Sequence, residues 1–268
     1  MLDLENVKYL SKENIRSLAP SVFSEKPSRG VSKHYVHIPT ERVINDMEVL
    51  GWKVVDAKEV AARTAATRGF QKHLLVFRND EIVINGEDGD TVFPQILLTN
   101  SHDAKNAFTF TAGLFRMVCE NGLVISTKEF GSVRVRHMGY DFSKVQETIK
   151  EIVEQLPLTV ESMNKMKATE LNQEKAVEFA KKALNTRFTD VELNRIKIDV
   201  TELLKPVREE DKGSDLWSIF NVVQEKIIEG DFEYRAAGKD RKAREIKNFR
   251  QDIKVNEKLF DLALEYVS

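Results

Sequence analysis

The sequence predicts an α+β fold, a mostly antiparallel sheet in the N-terminal half with helices segregated to the C-terminal half. Two observations carry that reading. Between residues 35 and 140 apolar residues alternate with polar ones, or gather in short runs closed by turn residues, as in Phe108-Thr109-Phe110-Thr111 and Val133-Arg134-Val135-Arg136, and a period of two marks a strand. From Asp141 the apolar positions fall instead at helical spacing, first as Val145, Ile149, Ile152 and Leu156. No Gly/Ser/Pro linker separates the halves. The chain therefore reads as an N-terminal arm (1–34), a sheet-rich core (35–140) and a helical part packed on that core (141–268), forming one continuous domain.

Taken in order, residues 1–30 are polar with scattered apolar positions, and Pro20, Pro27 and Gly30 punctuate them. Pro39-Thr40-Glu41 opens a helix that Thr40 can cap, with Val43, Ile44, Met47 and Leu50 as its stripe and Gly51 as its end. Residues 52–55 read as a strand, and 57–68, rich in Ala with Arg63 and Arg68, as a second short helix or a flexible crossing. Residues 70–77 and 81–84 predict a hairpin around Arg78-Asn79-Asp80, and 91–98 a further strand in which Pro94 favours an edge position or a bulge.

The densest segment is ILLTNSHDAKNAFTFTAGLFRMVCENGLVI, residues 96–125. Ile96 to Leu98 end a buried strand, Thr99 to Asp103 form a polar turn that bonds its own backbone, and Phe108 to Thr111 begin the next strand. Leu114, Met117 and Val118 are spaced for one face of a short helix that Asn121-Gly122 would stop. Beyond it, 129–137 reads as a strand with Arg134 and Arg136 on its outer face. The helices then follow: one from Asp141 to Leu156 that Pro157 kinks or stops, and others over 172–184, 214–229 and 256–267.

The segments LLTNSHD, AGLFRMVCENGL and, a hundred residues on, LWSIFNVVQEKIIEG resemble the phage/plasmid-like family catalogued as a domain of unknown function (DUF932). The resemblance runs from roughly Tyr35 to Ser268, and its central segment is the most specific part. It implies a setting among phages, prophages and mobile plasmids, with no settled activity. One departure concerns the residue after Ser-His-Asp: the family usually has a small one there, often Gly, whereas this chain has Ala104-Lys105.

Composition sets the outer bounds. A chain of 268 residues with 41% hydrophobic content has ample material for a core. No apolar run reaches membrane-spanning length, and acids come too early in MLDLENVKYLSKENIR for a secretory signal. The expectation is a cytoplasmic protein of a bacterial host cell, without a membrane partner. The single Cys119 excludes an internal disulfide framework and a thiolate zinc cluster. A net charge of −2 argues against indiscriminate binding to polyanions, yet leaves room for a local basic surface.

The candidate sites each have a bland alternative. Ser101-His102-Asp103 can present an imidazole and a carboxylate to a ligand, phosphate or metal, or be a turn stabilised by its own side chains. His102 and Asp103 are the catalytic candidates. Cys119 with His102 could form a nucleophile pair, but a thiol on an apolar face reads better as buried and inert. His34, His37, His73 and His137 lack a recognised ligand spacing, and no glycine loop suits a phosphate, so neither metal nor cofactor is expected. The stronger signal is basic. RAAGKDRKAREIKNFR, from Arg235 to Arg250, holds Arg235, Lys239, Arg241, Lys242, Arg244, Lys247 and Arg250 against two acids. Such a segment suits a phosphate backbone; its alternative is a solvated helix face or mobile loop. Arg134 and Arg136, with Arg63 and Arg68, could extend the track, and Phe70, Phe108, Phe110 and Phe130 could offer stacking platforms, although aromatics at strand spacing are more often core.

The leading expectation is thus a nucleic-acid-binding protein of a phage or mobile element, handling single-stranded DNA in replication, recombination or annealing. At the level of element order alone it is similar to annealing proteins of the Rad52-like type, which form rings or filaments, so self-association is carried with it. The alternatives are a counter-defence or regulatory protein that binds a host protein, and a hydrolase using the Ser101-His102-Asp103 turn.

Overall fold

The computed structural model describes residues 9–62, 64–85, 91–106, 108–116, 121–124, 133–135 and 141–267, and of 84–85, 91–92, 112–116, 121–124, 133–135, 155–157, 159 and 210 the backbone course alone. Strands dominate the N-terminal half and helices the C-terminal half, an α+β architecture. The chain divides into two compact units, Met1–Leu156 and Pro157–Ser268.

In the first unit, α1 (Lys12–Leu18) starts at a capping box in which the Ser11 side chain accepts from the Asn14 backbone and the Asn14 side chain answers the Ser11 amide. Its Ile15, with Ala19 and Val22 just beyond, is buried in the unit's core, so residues of the N-terminal segment are part of that core. Helix α2 (Thr40–Val49) buries Val43, Ile44 and Met47, and Gly51, at φ +81°, turns the chain into β1 (Lys53–Glu59). Pro39, not Thr40, occupies the cap position, and no side chain caps the helix. The Thr40 hydroxyl is engaged with His73 instead.

Among the described residues seven strands make the first sheet: β1, β2 (His73–Arg78), β4 (Thr91–Asn100), β5 (Phe108–Arg116) and β6 (Asn121–Val124) in that order, with β3 (Ile84–Asn85) beside β4 and β7 (Val133–Val135) beside β5. The register places Leu75 opposite Leu98 and Leu98 opposite Phe110, with Phe77 opposite Ile96. Alternate residues therefore stack on one face. That face, with α1, α2 and Val145, Ile149 and Ile152 of α3 (Phe142–Lys167), encloses the core.

Three local expectations need correction. Residues 70–77 and 81–84 do not pair with each other: β2 lies between β1 and β4, and β3 pairs with the start of β4. Pro94 is on an interior strand, yet it falls between Val92, where β3 pairs, and Gln95, where pairing with β2 begins, so β5 alone faces it. A missing N–H costs nothing where no partner strand waits. Finally, Leu114 to Arg116 continue β5 instead of starting a helix, and Asn121-Gly122 open β6, with Leu114 opposite both Pro94 and Leu123. Two flanking strands override a helical spacing that only three residues support. Met117, Val118 and Cys119 lie outside the described residues.

Helix α3 runs past Pro157 to Lys167. Proline there removes one ladder bond, and burial of Ile149 and Ile152 before it and of Met163 and Met166 after it offsets the loss. In the second unit α4 (Gln173–Arg187), capped by Asn172, buries Phe179, Ala180 and Ala183, and α5 (Asp190–Leu193) leads to β8 (Ile196–Ile198). Helix α6 (Leu216–Glu229) is capped by Asp215 and ends at Gly230 in the left-handed conformation. The rings of Trp217, Phe220 and Phe260 form its aromatic seam, at centroid separations of 5.9 and 6.1 Å. Strands β9 (Glu233–Ala236) and β10 (Lys239–Lys242) complete a three-stranded sheet ordered β10-β9-β8. Helix α7 (Phe249–Leu264) begins earlier than residue 256, because Asn248 accepts from Arg250 and Gln251 as its cap; Asn256 is instead a buried mid-helix residue bonded to Gln224 at 2.8 Å.

Candidate functional site

Ser101, His102 and Asp103 form the connection between β4 and β5, and Ser101 and His102 are wholly buried. Ser101 donates its hydroxyl to Asp103 at 2.8 Å, and the Lys105 amide donates to the same carboxylate oxygen at 3.1 Å. Asn106 donates to the Ser101 hydroxyl at 3.2 Å. The segment is tied to its surroundings through the backbone: His102 N–H donates to Phe70 O, Ser28 N–H to His102 O, and the Tyr35 hydroxyl to Ser101 O. Burial, reinforced by the Asp103 carboxylate, pushes the Tyr35 phenol up to about 12. This is the geometry of a turn held by its own side chains, with the serine hydroxyl committed to the carboxylate and not to the imidazole. Ala104, directly after the aspartate, sits at φ +59°, the left-handed region that favours glycine, so the position is a tight-turn position in this chain as well.

The side chain of His102 joins two others. Its ring lies 4.6 Å from that of His37 and 5.2 Å from that of His73. His73 heads β2 opposite Asn100, and its two nitrogens have different partners: Nδ1 has Ser21 Oγ at 3.0 Å and Gln71 O at 3.2 Å, and Nε2 has Thr40 Oγ1 at 2.8 Å. Since a carbonyl only accepts, the proton belongs on Nδ1, and Thr40 donates to Nε2. Asn100 in turn donates to Thr40 Oγ1 at 2.9 Å and to Ile38 O at 3.3 Å. Burial lowers the His73 pKa to about 4, so the ring is neutral over the physiological range. The sequence gives no signal for this network beyond the histidines themselves. Among the described residues no group of three or more His, Cys, Asp or Glu side chains could hold a metal ion.

The first half of the basic segment is neither helix face nor mobile loop but a hairpin, and the second half runs on from it into the first turn of α7. Ala236 pairs with Lys239, leaving Ala237 and Gly238 as a two-residue loop at φ +50° and +77°, the requirement of a type I′ turn. Its base is anchored in the second unit. The guanidinium of Arg187 donates to the carbonyls of Ile227 and Arg244 and lies over the rings of Phe188 and Phe232. Gly230 lets the backbone of Ala243 and Arg244 approach so closely that a Cβ would stand 2.5 Å from the Arg244 carbonyl carbon. Ala243 and Ile246 donate to Phe232 and Ile228 at 2.9 Å, and Ala243, Ile246 and Phe249 are buried. On this frame Arg235, Lys239, Arg241, Lys242, Arg244, Lys247 and Arg250 are all exposed. Arg235 pairs with Asp240, Lys242 with Asp231 and Lys247 with Glu245, at 3.7, 3.1 and 4.0 Å. Lys239, Arg241, Arg244 and Arg250 have no carboxylate in ion-pair range among the described residues.

Arg134 lies on β7 opposite Thr109 in the first unit, whereas Arg136, His137, Arg63 and Phe130 lie outside the described residues. Arg68 is exposed and Phe70 partly buried. Phe108 and Phe110 are not stacking platforms: both are fully buried, edge to face at 5.1 Å. Their strand puts them on the core face, which decides the matter. Among the described residues no helix is long and apolar enough to cross a membrane.

Two curated relatives from Escherichia coli (strain K12), UPF0380 protein YafZ and UPF0380 protein YfjQ, are each 31% identical to this chain over 255 residues, covering 95% of it and 90% of their own length. No solved structure matches it. A family model described as Domain of unknown function (DUF932) matches residues 29–260, a span that includes both the histidine cluster and the basic hairpin, and the chain belongs to that family.

Proposed function

We propose that this protein binds nucleic acid, single strands foremost, through the β9–β10 hairpin and the segment that runs on to Arg250, in the replication, recombination or annealing of a phage or other mobile element. The observation that supports this reading is the concentration of seven exposed cations between Arg235 and Arg250, four on the anchored hairpin and three just beyond it, with Lys239, Arg241, Arg244 and Arg250 lacking a carboxylate partner among the described residues. Exposed cations contribute little to folding. They are, however, what a phosphate backbone needs, and the rigid base fixes their spacing before a ligand arrives.

Titration of a labelled dT oligomer at two salt concentrations tests the reading. With four phosphates neutralised on a single strand, log K should fall with log salt at a slope of about −3. Lys239→Glu combined with Arg241→Glu should remove most of the binding while leaving the fold intact, since both side chains stand in solvent. Failure to bind any oligonucleotide at low salt, or unchanged binding by the double variant, overturns the proposal.

A further inference from the structure

The register of the small sheet separates its charges. Side chains of directly opposed residues share a face, and Ile198, Tyr234 and Arg241 are opposed across the three strands, as are Ile196, Ala236 and Lys239. Lys197, Arg235 and Asp240 share the other face, as do Glu233 and Lys242. On the second face Arg235 pairs with Asp240 and Lys242 with Asp231, leaving Lys197 as its one cation outside an ion pair among the described residues. The first holds Lys239 and Arg241, which no carboxylate neutralises among the described residues. It also holds the sheet's one tyrosine, partly exposed and bounded by partly exposed Ile196, Ile198 and Ala236. The base of this face is closed where Phe232 is buried and Phe188 meets the Tyr234 ring at 6.2 Å and 61°. Toward the Ala237-Gly238 tip it opens.

Resting on the nucleic-acid reading, we propose that Tyr234 is a stacking platform for an unpaired base and that Lys239 and Arg241 hold the flanking phosphates, so that the ligand class is single-stranded nucleic acid and not duplex. An aromatic ring beside unneutralised cations fits both halves of a nucleotide at once, the π-face of its base and its charged backbone. A duplex hides its base faces within the stack, leaving the phosphates alone to be bound. The small side chain of Ala236 and the glycine at the tip leave the approach to the ring clear.

The test compares three probes, a dT oligomer, a matched duplex and inorganic polyphosphate, on the full chain. Tyr234→Leu should weaken the dT oligomer roughly tenfold with an unchanged salt slope, because no phosphate contact is lost, and should leave polyphosphate binding as it was. Tyr234→Phe should bind like the unmodified protein. Arg241→Gln should instead lower the slope by about one phosphate's share, ~0.7. Tyr234→Trp reads the contact with an aromatic ring kept in place: the dT oligomer should quench indole emission that polyphosphate leaves unchanged. Equal binding by Tyr234→Leu, tighter binding of duplex than of single strand, or no selective quenching overturns the stacking platform and leaves phosphate binding by the hairpin standing. No binding of any nucleic acid by the unmodified protein removes the nucleic-acid reading itself.

Discussion

In the first unit His73, Asn100, Ser101 and His102 are wholly buried, and the side chains of the first three are hydrogen-bonded within the fold; in the second, Lys239, Arg241, Arg244 and Arg250 stand in solvent with no carboxylate to answer them among the described residues. Both groups consist of residues that chemistry uses, and their surroundings separate them. A buried polar group is tolerated when neutral and bonded, and it then makes the core unique and stiff. An exposed cation is tolerated anywhere, and it stays available to an anionic ligand. The Ser101-His102-Asp103 turn is tied into the fold by its own side chains, whereas the basic segment, the stronger signal in the sequence, keeps its cations in solvent.

Each unit contains one tryptophan, Trp52 in the first and Trp217 in the second, so single-tryptophan variants report on each alone. The largest effect is expected from Gly230→Val. The residue is at φ +74°, and a Cβ would stand 2.5 to 2.8 Å from the backbone of Ala243 and Arg244. Left-handed strain and overpacking together should cost the second unit roughly 3–4 kcal/mol, lowering the denaturation midpoint read by Trp217 and leaving that read by Trp52 in place. Equal loss at both probes would show that the units do not unfold separately.

Acid should act the other way. All five histidines precede residue 140, and none lies in the second unit. The folded-state pKa of His73, about 4, lies below the unfolded value near 6.5, so the unfolded chain takes up the proton first. Stability from this group is therefore complete above pH 6.5 and is lost as pH falls toward 4, by about 3 kcal/mol in all. Denaturant titrations over this window should show the decline at Trp52 and little at Trp217, and His73→Gln should flatten it. A pH profile identical for both probes would refute the assignment.

A smaller effect separates the hairpin from its frame. Arg187→Met removes the donors to the Ile227 and Arg244 carbonyls while keeping much of the stem that lies against Phe188 and Phe232. It should destabilise the second unit by about 1–2 kcal/mol and weaken oligonucleotide binding, because the cations would no longer be held at fixed spacing. Normal affinity in a destabilised variant would show that the hairpin needs no anchor to bind.

How far the sequence carries these distinctions depends on how local the deciding contacts are. The helices at 173–187 and 216–229 are legible because caps, stripe and stop all lie within them: Asn172 and Asp215 at the starts, Gly230 at one end. The end of β5 is not, since Leu114 and its neighbours fit a short helix until Phe93 and Pro94, some twenty residues upstream, are seen opposite them. Nor is the hairpin. Lys239-Asp240-Arg241-Lys242 has no apolar alternation, and its turn is Ala-Gly where Asn-Gly would be the recognisable signal. The β2–β4 register brings His73 to the end of β4 beside His102, and His37 joins them from the segment before α2, proximities that no spacing along the chain encodes.

The smallest effects belong to two alanines that strain one turn in each unit. Ala104 at φ +59° follows the buried Ser101-His102 pair, and Ala237 at φ +50° forms the tip of the exposed hairpin. An L-residue in this region costs roughly 1–2 kcal/mol, and glycine returns about 0.5–1 of that, the remainder being lost to its greater freedom in the unfolded chain. Ala104→Gly should therefore stabilise the first unit by about 0.5–1 kcal/mol, detected at Trp52. Ala237→Asn should stabilise the second by a similar ~1 kcal/mol without glycine's entropic cost, since asparagine is favoured at the first position of this turn. The pair sharpens the contrast between the units, because their consequences for binding differ. A change under the histidine cluster should leave oligonucleotide affinity as it was, whereas the carboxamide introduced by Ala237→Asn would stand at the open end of the face that carries Tyr234, Lys239 and Arg241. If both substitutions stabilise and only the one at the tip alters affinity, strain is incidental in the first unit and lies beside the ligand in the second. Altered affinity from Ala104→Gly alone would move the binding surface to the first unit, where the buried histidines would then be more than architecture.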